Sequence, residues 1–363
     1  MARTILLVLF LSVFAISLQG CGDDPAAPTN GAPNITGLSA DPGTVDPAGY
    51  CTVTCTATEP DGDDLTYTWG SSEGTISGSG SAVTWFGPIT AGTYNVWVAV
   101  DDGQGKTDSD TVSVEVRGGT LLVQATGSLL AVSMTGSTFP LYPSNVEVEV
   151  LGTRIFTGPH DIREISHSGS VIGTITRPPG SPSRVSTFTA YDGGFAFLEN
   201  WGDTVTFVSE AGALIENVVM PEASSVNQPL RTVVVGDKVI ISETGARKLA
   251  QADLITREIS IFKDMTQLST WLGDIDYSDG DFYMTQYEDI FRFTESGDPE
   301  VLSNLRGGWL LRLAVVGKYV YATDRNAGKI YKVDIFTGIG EVLVEGLPAP
   351  LDIEFLPVAL TAP

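Results

Sequence analysis

Carboxylates and carboxamides recur at corresponding points in the second part of the chain. Gln124, Glu199, Glu243, Gln286 and Asp324 each close a short apolar run; in the one remaining run Gly158 holds the place, with His160 two residues on. Three carboxylates converging from such a column would offer hard oxygen ligands to a divalent cation, and His160 beside Asp161 could serve as a base. The plainer reading is that these side chains end strands and hydrogen-bond loops. A second acidic group, Asp61, Asp63 and Asp64 with Asp101 and Asp102, has the ligand type and loop setting that suit calcium, the one cofactor the residues suggest. The same residues also supply ordinary turn geometry. Trp201, Trp271 and Trp309 could stack on sugars or pack between sheets.

Other chemistries have no residues to carry them. The only histidines are His160 and His167, and the sequence holds neither a Gly-x-Ser-x-Gly elbow nor a His-Glu-x-x-His pair. Gly103-Gln-Gly-Lys106-Thr107 mimics the end of a phosphate-binding loop, but Val100 stands where its first glycine is needed, and the segment reads as a hairpin turn. With 44 acidic against 20 basic residues the net charge is −24, which repels nucleic acid and excludes it as a partner. Of three cysteines, Cys51 and Cys55 fall on one face of a strand; four residues of strand separate them by roughly 13 Å, beyond disulfide reach.

The elements that would position these residues are all β. From Asn34 to Arg117, alternating runs at 35–38, 51–58, 65–69, 82–86, 92–100 and 107–116 are divided by Gly, Pro and Asp turns, the pattern of a sandwich. Cys55, Trp69, Tyr94 and Val96 keep the order of an immunoglobulin core cysteine, tryptophan and tyrosine corner, with Val96 in place of the second cysteine. The segments Glu59-Pro-Asp-Gly-Asp-Asp-Leu-Thr-Tyr-Thr-Trp69 and Gly92-Thr-Tyr-Asn-Val-Trp-Val-Ala-Val-Asp-Asp-Gly103 resemble the PKD and cadherin-like branch of immunoglobulin-like domains.

From Gly118 to Pro357 the chain repeats. Apolar first strands at 146–151, 185–191, 230–235, 272–277, 310–316 and 350–356 are followed by Gly152, Gly193, Gly236, Gly280 and Gly317, spaced by 41, 43, 44 and 37 residues. A period near forty in an all-β chain implies four-stranded propeller blades, here six. The run 350–356 has no second strand after it, whereas 121–124 and 129–133 are second and third strands lacking a first, so the C-terminal strand is expected to close the ring. Residues 358–363 are a tail. The units, most clearly Tyr319-Val-Tyr-Ala-Thr-Asp-Arg-Asn-Ala-Gly-Lys-Ile-Tyr-Lys-Val-Asp334, resemble six-bladed propellers of the NHL, gluconolactonase and strictosidine-synthase group. That blade pattern is shared by binders and enzymes.

Arg3, the apolar run Ile5 to Leu18 and the tetrapeptide Leu18-Gln19-Gly20-Cys21 resemble a bacterial lipoprotein signal. The run is too short to span a bilayer. The resemblance implies removal of residues 1–20, acylation of Cys21 and attachment to a membrane by lipid, with 21–33 as a Pro-rich tether. Gly22 in place of Asp favours the outer membrane or cell surface. Together these readings describe a lipid-anchored, non-catalytic envelope protein whose propeller presents a binding face for a protein, glycan or small molecule, with the sandwich as spacer. A metal-dependent hydrolase or lactonase using the acidic column, and a structural component of an envelope assembly, are the alternatives.

Overall fold

A computed structural model of the chain describes residues 29–143, 147–158, 161–176, 178–179, 185–199, 204–219, 229–243, 247–268 and 272–360. Cys21, His160, Trp201 and Trp271 lie outside the described residues, as do the side chains of Glu199 and Glu243. Every regular element among the described residues is a strand, and the strands form eight four-stranded sheets.

Two sheets make the sandwich. Asn34–Asp41, Tyr50–Thr58, Ala82–Phe86 and Thr75–Ser77 form one, and Thr44–Val45, Thr107–Val116, Gly92–Asp101 and Thr66–Ser71 the other. Period-two alternation turns Cys51, Val53 and Cys55 inward against Val96, Val98 and Val114. The tyrosine corner is present: the Tyr94 hydroxyl donates to the Thr90 carbonyl at 2.9 Å. The core tryptophan differs from the one expected. Trp85 is fully buried, while Trp69 is half-buried with its indole N–H on the Gly80 carbonyl, and Val96 packs with Cys51 rather than Cys55. Both thiols are free, and burial pushes Cys51 up to about 11.

The remaining six sheets are antiparallel meanders with innermost strands Glu147–Leu151, Val185–Tyr191, Pro229–Val235, Ile275–Ser278, Leu310–Val316 and Asp352–Leu356. Each innermost strand touches the next, and the last touches the first, so the six close a propeller-like cycle. The C-terminal strand belongs to the sheet of Thr120–Ala125, Ser128–Ser133 and Thr138–Tyr142, in a register that sets Asp352 opposite Gln124 and Leu356 opposite Thr120. The C-terminal strand is thereby hydrogen-bonded to the first strand after the sandwich, which removes an open sheet edge.

A serine or aspartate shapes the turn after the third strand. Ser133, Ser166 and Ser209 accept from the backbone N–H four residues on, and Asp253 and Asp334 accept from the N–H groups two and three residues on. The glycine in this turn has a second duty. At Gly169 and Gly338 φ is positive, and a Cβ would run into the carbonyl of Leu141 or Leu302 on the outer strand of the preceding sheet.

Candidate functional site

The innermost strands carry polar residues at alternate positions, all turned toward the ring's centre. These are Glu147 and Glu149, Thr187 and Thr189, Asp274 and Asp276, and Asp352 and Glu354, with Arg231 and Arg312 on the two other strands. Their burial has a backbone cause. An innermost strand has a sheet partner on one side only, so N–H groups on its other edge need acceptors. Carboxylates on the neighbouring strand supply them: Asp274 accepts from Leu313 at 2.8 Å, Asp276 from Val315 at 2.7 Å, Asp352 from Val148 at 3.2 Å and Glu147 from Phe188 at 3.3 Å.

Charge compensation comes from one arginine above all. Arg231 pairs with Glu147, lies 3.2 Å from Asp352 and 3.7 Å from Asp274, and donates to the Thr187 hydroxyl at 3.1 Å. Arg312 adds a 3.7 Å contact to Asp352 and donates to the Leu311 carbonyl. Burial pushes the Asp274 carboxyl up to about 6 although both arginines pull it down. Asp276 is also raised to about 6 by burial, and Arg312 is lowered to about 10 by burial and by Arg231.

Beside this charged floor lies a cavity of about 630 Å³. Its wall includes Glu149, Thr189, Tyr191, Asp276 and Glu354, with apolar surface from Leu151, Val233, Leu254 and Leu313. It reaches the turns Asp192–Gly193 and Gly236–Asp237, which follow innermost strands. Glu149 accepts from the Thr189 hydroxyl at 3.2 Å. Both Glu149 and Glu354 are raised well above the usual carboxylate range, first by burial, then by each other's neighbourhood: Glu354 and Asp352 act on Glu149, and Asp352, Asp276 and Asp274 on Glu354.

The column read from the sequence stands elsewhere. Gln124 and Asp352 are opposite one another, so the column lies level with the start of the innermost strands, and none of Gln124, Gln286 and Asp324 lines the cavity. All three are buried. Asp324 shapes a turn, its Oδ1 accepting from Asn326 and Ala327 at 3.0 and 2.9 Å. In the sandwich, Asp61 accepts from Gly31, Asp101 from Gly103, and Asp102 from Asn30, Gln104 and Lys106. Glu59, which the motif reading passed over, gathers the N–H groups of Asp61, Gly62 and Asp63. Asp63 and Asp64 flank the same turn, and neighbouring carboxylates raise Asp63 after desolvation. Among the described residues no group of three or more His, Cys, Asp or Glu is arranged to hold a metal ion. Trp309 is 41 % exposed and meets Tyr287 edge to face at 5.6 Å.

The sandwich adjoins the face on which the cavity's turns lie. Lys318 donates its backbone N–H to the Ala48 carbonyl at 3.0 Å, Phe86 meets Phe336 edge to face at 5.4 Å, and Tyr50 hydrogen-bonds Asp279. No helix among the described residues is long and apolar enough to cross a membrane.

Comparison with known proteins places the two parts separately. Residues 30–115 match the family model of a bacterial Ig domain. No curated protein matches the chain. Among solved structures, a chain of the nidogen/laminin complex is similar at 11% identity, covering 66% of this chain and 98% of that one with a TM-score of 0.56. The streptogramin B lyase structure is similar at 16% identity, 76% and 98% coverage and a TM-score of 0.45. An auxiliary nutrient binding protein from Bacteroides ovatus is similar at 11% identity, 85% and 85% coverage and a TM-score of 0.40. The N-terminal part is therefore similar to bacterial Ig domains, and about two thirds of the chain shares its fold with the nidogen/laminin chain.

Proposed function

We propose that this is a lipid-anchored, non-catalytic protein of the bacterial cell envelope whose six-bladed propeller binds a small molecule in its central channel. Acylated Cys21 attaches it to the membrane, the outer membrane or cell surface being favoured, and residues 22–33 and the sandwich space the propeller from the lipid. The observation that supports a binding role is the cavity itself. A concave volume of about 630 Å³ has the size of a small-molecule site, and a lining in which acidic and other polar groups outweigh the apolar surface suits a polar or charged compound.

The test is retention of a ligand by the purified protein. It is incubated with a small-molecule extract of a bacterial culture, washed and denatured, and the released compounds are identified by mass spectrometry against a Val233→Trp variant that fills the cavity. Compounds retained by the wild type and lost in the variant support the reading; equal retention sinks it. Hydrolysis of a lactone or ester panel that vanishes on joint replacement of Glu199, Glu243 and Asp324 would instead establish the enzyme alternative.

A further inference from the structure

We propose that the ligand of this cavity is an organic ammonium compound, a protonated primary amine held between Glu149 and Glu354. The inference rests on reading the cavity as a binding site. Its basis is the unequal treatment of the channel's carboxylates. Glu147, Asp274 and Asp352 on the floor all have Arg231 within ion-pair distance, and Arg312 adds to Asp352. One alternate position further along the same strands, Glu149, Asp276 and Glu354 line the cavity without a cation of their own, and no hydrogen bond reaches Glu354 among the described residues. Arg257, the other guanidinium of the wall, is turned onto the rings of Phe207 and Tyr191 at 4.5 and 5.7 Å.

A second feature of the wall is independent of the acids. Tyr191 is only 4 % exposed, and its hydroxyl makes no hydrogen bond of good geometry, the Arg257 guanidinium beside it being too poorly placed to satisfy it. A buried polar group left in that state costs about 1–3 kcal/mol, which a bound ligand can recover. An N–H donor fits both this oxygen and the carboxylates. The volume and the Leu151, Val233, Leu254 and Leu313 surface ask for a carbon skeleton behind the charge, and the acids are not arranged as a metal-ion set. Burial raises the proton affinity of both acids, as do Glu354 and Asp352 beside Glu149 and Asp352, Asp276 and Asp274 beside Glu354; an ammonium group favours the ionised pair and would draw protons off it. Binding should therefore tighten as pH rises and release protons to solvent.

Isothermal titration of the protein with spermidine at pH 6 and pH 8, in buffers of different ionisation enthalpy, tests this. Saturable binding is expected, at least fivefold tighter at pH 8. It should weaken tenfold or more in Glu149→Gln and in Glu354→Gln, and about threefold in Tyr191→Phe. The carboxamides keep shape and remove like charge, so these variants should unfold at or above the wild-type temperature; Tyr191→Phe tests the site with both carboxyls untouched. Absence of binding at pH 8, or affinity unchanged in the Glu149→Gln/Glu354→Gln double variant, overturns the ammonium assignment. If spermidine fails while the extract still yields a compound lost in Val233→Trp, only the ligand class is wrong; if neither is retained, the binding reading falls with it.

Discussion

Arg231 reaches carboxylates from three different sheets, and this decides what its loss would do. It is almost fully buried, and so are Glu147, Asp274 and Asp352. Removing one partner of a buried ion pair leaves charge without compensation, at a cost of about 3–5 kcal/mol. Arg231→Met should lower stability by that order in urea unfolding, whereas Arg231→Met combined with Glu147→Gln should regain part of the loss. The acids themselves set a pH dependence. Asp274 and Asp276 titrate at about 6 when folded, against ~3.9 in the unfolded chain, so between these values the folded protein binds more protons. Stability should therefore fall as pH rises from about 4 to about 6, by roughly 3 kcal/mol for each carboxyl, and the penalty persists above that window. Asp276→Asn, which keeps an acceptor for Val315, should remove one carboxyl's share of the slope in urea midpoints measured across the window. These residues were legible after a fashion. Glu-Val-Glu-Val, Asp-Ile-Asp and Asp-Ile-Glu place acids at alternate positions of the first strand of the repeat, and charge at a buried position marks either a partner or a site. The strand-ending column drew attention first because its members recur in the repeat. Asp324 has a duty that recurrence alone does not reveal: its Oδ1 shapes the turn that follows its strand.

At the scale of the element, the turn after the third strand is written in the sequence as Ser133-Met-Thr-Gly136, Ser166-His-Ser-Gly169 and Ser209-Glu-Ala-Gly212, but the reason for its glycine lies between sheets. A carbonyl of the preceding sheet occupies the space where a Cβ would project, and no single repeat encodes that approach. The distinction can be measured. Gly338→Ala meets both a positive φ and the Leu302 carbonyl at 2.2 Å, and should cost about 2 kcal/mol or more in thermal or urea unfolding. Gly346→Ala, also at positive φ but with nothing within 4 Å, should cost about 1 kcal/mol. Equal losses would mean that φ alone governs the turn and that neighbouring sheets do not bear on it. The innermost strands follow the same principle. Their unpaired N–H groups find acceptors on adjacent strands, so a polar residue placed for one sheet serves the next.

For the whole molecule, the sequence divides the chain into sandwich and ring at Arg117 and is silent on their contact. The contact is made by residues of ordinary type: Ala48 at positive φ, its carbonyl on the Lys318 N–H, and Gly317, where a Cβ would lie 2.4 Å from the Ala48 carbonyl carbon. Phe86 against Phe336 and Tyr50 with Asp279 complete a docking surface of aromatic edges and turn backbone. Such a surface couples the two parts only if it survives in solution. Calorimetry of the wild type should show the sandwich and ring melting together. Gly317→Val forces β-branched bulk into the Ala48 approach at φ 54°. It should separate the melt into two transitions while leaving the upper one, that of the uninjured part, within a few degrees of its original position. The variant also bears on the cavity, because the sandwich rests on turns of the same face. Spermidine affinity that is unchanged after the transitions separate would assign the site to the ring alone. Weakened affinity would mean that the docked sandwich helps hold the cavity's shape, and its role would then extend beyond that of a spacer.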